Sequence, residues 1–133
     1  MKTAGRLAIA DSGRPRFAVP LWGGRRRFIP REVNRELEKA RTAEAVERIL
    51  TKRERRIAKA VHGSWEDYLV CNEMAELMSQ VLISKKISHQ VVLGKSDEGS
   101  AHTWIRISNK NYDPTKQGYG NGRYSVVEVH TFT

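Results

Sequence analysis

Cys71, His102 and Asp113 are the residues whose types and order could do chemistry together. A cysteine thiolate attacks a carbonyl carbon far better than a thiol does. A helix N-terminus and a neighbouring imidazolium both lower a cysteine's pKa. His102 can take the thiol proton and later protonate a leaving amine. A carboxylate such as Asp113 can hold one imidazole nitrogen and so fix the tautomer. Each residue has a plainer use when met alone. A lone cysteine on an apolar helix face is usually a small buried hydrophobe. A histidine before a tryptophan in a strand is usually structural, and Asp-Pro-Thr is a common turn or strand end. Their order along the chain, on a helix and then two strands, is what points to thiol catalysis.

The elements that must position them are readable from periodicity. Cys71, Met74, Ala75, Met78 and Leu82 recur on one face of a helix, which Lys85-Lys86 should end. His89–Leu93 reads as a strand stopped by Gly94. His102–Ile107 alternates, with Trp104 on the His102 side. Ser108-Asn-Lys-Asn111 is turn chemistry, Gly118–Gly122 a flexible glycine-rich connection, and Tyr124–Phe132 a last strand. The second half is therefore one helix followed by an antiparallel sheet of three or four strands. A two-residue hairpin at Ser108-Asn109 puts Asp113 opposite Trp104, about 7 Å of strand travel from His102. A turn at Asn109-Lys110 leaves about 13 Å. Only the tighter register makes a His–Asp hydrogen bond easy, so that register is expected. Where the helix begins also matters. Ser64 to Asp67 resembles a cap too, and a helix running from there would place Cys71 mid-helix, outside the N-terminal field.

These residues resemble a known family. The run Cys71-Asn-Glu-Met-Ala-Glu-Leu-Met-Ser-Gln-Val-Leu82, then Ile87 and Val91-Val92-Leu93-Gly94, then Ala101-His102-Thr103-Trp104, then Tyr112-Asp113-Pro114-Thr115 with Gln117, is similar to the transglutaminase-like superfamily of papain-like thiol enzymes. The likeness covers about residues 65–118. It implies a papain-like core, a nucleophile at Cys71, a general base at His102 and an orienting carboxylate at Asp113. Members cleave, deamidate or transamidate amide bonds, and some are silent scaffolds. The papain-like pattern often has an upstream Gln as oxyanion donor, yet residues 1–70 hold no Gln and one Asn, Asn34. The Cys71 backbone N–H is one donor. Tyr68 and Trp65 are candidates for the second, and with Trp104 they are the expected cleft residues.

The first half has a different character. Residues 1–60 carry 17 Lys+Arg against 7 Asp+Glu, and residues 61–133 carry 7 against 8. The whole excess behind the net charge of +9 therefore lies in the first half. Residues 1–30, with four glycines and three prolines, read as a basic irregular arm in which Arg16–Val19 could form a short strand ended by Pro20. Arg25, Arg26 and Arg27 are its candidate contacts for an anionic partner, either nucleic acid or an acidic protein. Residues 31–62 read as a basic helical segment, carried by Val33, Leu37 and Ala40, then Val46, Ile49 and Leu50. Thr51-Lys-Arg-Glu54 matches a capping box, so a second helix is expected to start at Thr51 and run to about Val61. Residues 63–133 form the catalytic unit.

At 133 residues, the chain suits one domain that needs no metal or disulfide staple. Its single cysteine excludes an internal disulfide and a Cys-rich zinc site. No histidine pair has helical ligand spacing, so neither a metal nor another cofactor is expected. No run of 18 apolar residues exists, and Leu7–Ala10 is too short for a signal-peptide core, so the expected location is the cytoplasm. The expected fold is α+β, with the cysteine helix on the sheet and the basic helices before it. The expected function is a thiol amidase acting on peptide, isopeptide or glutamine amides. The rival is a silent scaffold or assembly component whose basic half binds nucleic acid or an acidic partner.

Overall fold

A computed structural model describes residues 8–9, 15–63, 70–115 and 124–133. The short strands β1 (Ala8–Ile9) and β2 (Pro15–Arg16) pair with each other. An antiparallel hairpin follows, formed by β3 (Ala18–Pro20) and β4 (Arg26–Phe28). Three helices come next: α1 (Arg31–Lys39), α2 (Ala43–His62) and α3 (Cys71–Ser84). The chain ends in β5 (His89–Ser96), β6 (Ala101–Ile107), β7 (Lys110–Tyr112) and β8 (Tyr124–Phe132). These form one antiparallel sheet in the order β7-β6-β5-β8. The architecture is α+β, as the periodicity indicated. Among the described residues, no helix is long and apolar enough to cross a membrane.

The core centres on α3. Every residue from Met74 to Leu82 is buried, so this helix is enclosed on all sides. It packs against β6 and β5, against α2, and against β3. That last contact corrects the reading of residues 1–30 as an arm for the described residues 15–30, which join the core. Phe17, Val19 and Ile29 are fully buried with the helix residues. Two amide side chains explain why so polar a segment docks. Gln80 brackets Ala18, accepting from its N–H at 3.3 Å and donating to its carbonyl at 2.7 Å. Asn34 does the same to the preceding stretch, accepting from Phe17 N–H at 2.8 Å and donating to the Pro15 carbonyl at 3.3 Å. Buried backbone groups that have no strand neighbour are thereby satisfied.

The helical segment also divides differently from expectation. The break falls at Ala40–Thr42, and α2 runs unbroken through Thr51. The real cap is Thr42, whose hydroxyl accepts from Ala45 N–H at 3.1 Å. Ala43, Val46, Leu50, Ile57, Ala58 and Val61 form one buried stripe along the helix. Burial of that continuous stripe outweighs a local capping signal at Thr51. Gly63 stops the helix with a φ of 79°. Thr42→Ala is expected to lower stability by about 1 kcal/mol, read as a lower urea midpoint at constant m-value.

A third correction concerns Gly94. It does not end β5 but lies inside it, opposite His102. A bulge against β8 sits between Leu93 and Gly94. The residue is glycine because the Trp104 ring fills the space beside it. A Cβ there would stand 2.6 Å from two indole carbons.

Candidate active site

Cys71 is the first residue of α3, with Val70 as its N-cap. The alternative of a helix running through Cys71 is therefore excluded. The thiol sits in the positive field of the helix N-terminus and is half-buried.

His102 is the second residue of β6 and is fully buried. The β6–β7 hairpin turns at Ser108-Asn109, with Ile105 opposite Tyr112 and Ile107 opposite Lys110. This is the tighter of the two registers, and continuing it places Asp113 across from Trp104. His102 Nε2 and Asp113 Oδ2 are 2.6 Å apart, both out of contact with water.

Asp113 is held from several directions. Its other carboxylate oxygen accepts from the Thr115 N–H at 3.1 Å and from the Thr115 hydroxyl at 2.7 Å. Its own N–H donates to Glu47 Oε2 at 2.6 Å. The Thr51 hydroxyl lies 2.9 Å from both the Glu47 and the Pro114 carbonyl oxygens. Glu44 accepts from Lys110 Nζ at 2.9 Å and from the Tyr112 hydroxyl at 3.0 Å. Three residues of α2 thus fix the strand end that carries the carboxylate. Glu54 lies close enough for burial, with the Asp113 charge added, to push its carboxyl up. None of these α2 residues was identifiable from the sequence. They stand some 60 positions away, and only their helical spacing at 44, 47 and 51 hints at a shared face.

Aromatic rings close the other side. The Trp104 ring stacks on His102 with centroids 5.9 Å apart and planes 25° apart. Its indole N–H donates to Asn111 Oδ1 at 3.1 Å. The Tyr124 ring centroid is 5.3 Å from that of His102. Trp104 therefore packs against the imidazole. Gly94→Ala is expected to displace this indole. It should cost about 1–3 kcal/mol through overpacking and slow alkylation of Cys71, which thermal unfolding and iodoacetamide kinetics would read.

The electrostatics bind the three residues into one unit. Burial pushes the Cys71 thiol up, but the hydrogen bond with His102, a backbone hydrogen bond at Thr103 and the imidazolium charge outweigh it. The net result is a lowered pKa. Burial likewise opposes charge on His102, yet its hydrogen bonds and charge interactions with Asp113 and Cys71 raise it to about 9. With Nε2 turned to Asp113, any proton exchange with the thiol falls to Nδ1. The two shifts run in the direction that favours a thiolate–imidazolium pair over the neutral one.

The remaining expected site residues fare differently. Trp65 and Tyr68 lie outside the described residues, as does the 118–122 loop. Arg27 is exposed and donates to the Val61 carbonyl at 2.6 Å near the end of α2. That bond caps the last turn of α2. Arg25 is exposed and Arg26 half-buried. Among the described residues, no group of three His, Cys, Asp or Glu is placed to hold a metal ion. The other histidines have structural partners. His62 faces Glu73 at 3.6 Å, His89 bonds Ser79 at 2.6 Å, and His130 Nε2 lies 3.1 Å from the Glu128 carboxylate.

The chain matches no family model, no curated protein and no solved structure. A half-buried thiol at a helix start, an imidazole close enough to lower that thiol's pKa, and a carboxylate bonded to the imidazole's Nε2 are the parts of a relay. Such a relay can deliver a sulfur nucleophile and take back or return one proton.

Proposed function

We propose that the protein is a thiol amidase of the transglutaminase-like, papain-like kind, acting on peptide, isopeptide or glutamine amides. The observation that carries this reading is the His102–Asp113 hydrogen bond of 2.6 Å behind a thiol that opens α3. A buried carboxylate bonded to a buried imidazole is costly to maintain. Its placement directly behind the one cysteine gives that cost a use.

The steps follow from the atoms. Cys71 Sγ, as thiolate, attacks the amide carbon, and the carbonyl electron pair moves to oxygen. The Cys71 backbone N–H, unpaired within the first turn of α3, is placed to donate to that oxyanion. As the C–N bond breaks, the imidazolium of His102 gives its Nδ1 proton to the leaving amine. An acyl thioester on Cys71 remains. Water, or a second amine, attacks it while His102 accepts a proton, and the thiolate leaves. Asp113 holds the ring orientation and the tautomer throughout. The basic first half, with Arg35, Arg48, Lys52, Arg55 and Lys59 exposed on α1 and α2, would recruit an acidic protein or nucleic acid as partner.

The test is to trap the thioester. The protein is incubated with a mixture of glutamine- and lysine-containing peptides, quenched in acid, and weighed intact. An acyl adduct at Cys71 that hydroxylamine removes is the expected result. No adduct, together with a thiol that alkylates no faster than free cysteine at neutral pH, would sink the amidase reading.

A further inference from the structure

The two edges of the four-stranded sheet differ in how they are protected. The β7 edge is three residues long, begins with Lys110 and is tied to α2, whose Glu44 accepts from both Lys110 and the Tyr112 hydroxyl. Shortness, a lysine and a covering helix each keep an edge strand from pairing with another chain. The β8 edge runs nine residues, Tyr124–Phe132, without proline or lysine. Among the described residues, β5 is its only strand partner. Val127 is 61% exposed, Val126 48% and Val129 37%. The bulge takes up Val127, which falls between Val126 opposite Gly94 and Glu128 opposite Leu93. Beyond it, Glu128–Phe132 is regular, paired residue for residue with His89–Leu93. Alternate backbone N–H and C=O groups of such a stretch point away from the sheet.

We infer that this stretch pairs antiparallel with its own counterpart in a second copy of the chain, joining two four-stranded sheets edge to edge. The partner follows from self-complementarity. Opposed residues of an antiparallel pair share a face, so a two-fold axis between the copies sets one residue opposite itself. Centred on Glu128, the axis sets carboxylate against carboxylate. Centred on His130, it sets two imidazoles together and leaves Glu128 opposite Phe132. Centred on Thr131, it pairs only the end of the strand. Centred on Val129, it packs valine on valine on one face. On the other face, each Glu128 then stands opposite the second copy's His130. Within its own strand Glu128 already lies 3.1 Å from His130 Nε2. The four groups thus alternate, acid beside imidazole, around the axis. Like charges directly opposite weaken a strand pair and opposite charges strengthen it. The register centred on Val129 meets both conditions.

Sedimentation velocity from about 1 to 500 μM, in about 0.15 M salt, spans micromolar association. The wild type should shift from monomer to dimer as concentration rises. Val129→Lys sets two ammonium groups face to face at the axis and should weaken association about tenfold or more. Thermal unfolding checks that this variant keeps its fold. A second arm reads the register without it. In a Cys71→Ser background, one introduced cysteine is the only thiol. At position 129 the Cα atoms of the two copies would stand about 5 Å apart, within disulfide reach. At position 131 they would stand about 14 Å apart. Mild oxidation should therefore cross-link Val129→Cys and leave Thr131→Cys largely unlinked. A wild type that stays monomeric across the range overturns the inference and leaves this edge to solvent or to a foreign strand. So does a folded Val129→Lys that dimerises as well as the wild type, or equal cross-linking at the two positions. None of these results bears on the amidase reading, which the thioester trap decides.

Discussion

Replacing His102 with alanine should slow alkylation of Cys71 at neutral pH several-fold and slow amide turnover by far more. The two sizes differ for a physical reason. An ordinary thiol is only roughly a few per cent ionised at pH 7. The imidazole is the main group opposing burial of the Cys71 thiolate, so its loss moves the thiol's titration upward. A more basic thiolate is also a stronger nucleophile, with a Brønsted slope of about 0.4–0.5, which returns part of the lost alkylation rate. A net drop of about fivefold to tenfold is therefore expected with iodoacetamide. Amide turnover also needs a proton delivered to the leaving amine. Losing the general acid adds about a hundredfold to ten-thousandfold. The measurement is iodoacetamide rate against pH for both proteins, beside turnover of whichever peptide gives the adduct. An alkylation midpoint that does not move in His102→Ala would show that the imidazole does not govern the thiol.

The same pair sets an expected pH window for the wild type. Alkylation follows the thiolate and should stay high as pH rises. Turnover needs the imidazolium, whose pKa is raised to about 9 by Asp113 and Cys71 against the opposing effect of burial. It should therefore fall above that value. A bell for turnover over a plateau for alkylation is the expected signature. A turnover curve that climbs through pH 10 would place the leaving-group acid elsewhere.

How far the site could be read from the sequence follows from how local its determinants are. The apolar stripe of α3 lies within four helical turns, and the Ser108-Asn109 turn sits between two alternating runs, so periodicity and turn chemistry suffice. The start of α3 at Cys71 was one of two open choices, because nothing local decides between Ser64–Asp67 and Val70. Gly94 looked like a strand end because glycine usually is one, and its partner Trp104 lies ten residues on. Phe17, Val19 and Ile29 stand among prolines, glycines and arginines. Their burial depends on Gln80 and Asn34, distant amides whose backbone pairing leaves no periodic trace. The anchoring of Asp113 by Glu47 and Thr51 is equally nonlocal. What remained hidden is thus mostly polar pairing across the fold, which binary patterning does not encode.

Asp113→Ala should be the most destabilising single change at the site, and by an amount that depends on pH. The substitution strands a fully buried imidazole and removes the acceptor of the Thr115 N–H and hydroxyl. Breaking one partner out of a buried pair costs about 3–5 kcal/mol. Part of that cost is charge linkage. His102 has a folded-state value of about 9 against an ordinary 6.5. A group raised in the folded state contributes stability that is complete below its unfolded value and lost as pH climbs through the folded one. The wild type should therefore hold this contribution fully at pH 6 and lose most of it by pH 10. Two and a half pKa units correspond to about 3 kcal/mol, of which Asp113 supplies the larger share. The gap between wild type and Asp113→Ala should accordingly be widest near pH 6 and narrow towards pH 10. What persists at high pH reflects the neutral hydrogen bonds. Urea unfolding at pH 6, 8 and 10 measures it, and Asp113→Asn isolates the charge, since the amide keeps an acceptor oxygen but no negative charge. A gap constant across that range would mean that the folded protein holds His102 neutral, which would leave the imidazolium without its role in the proposed mechanism.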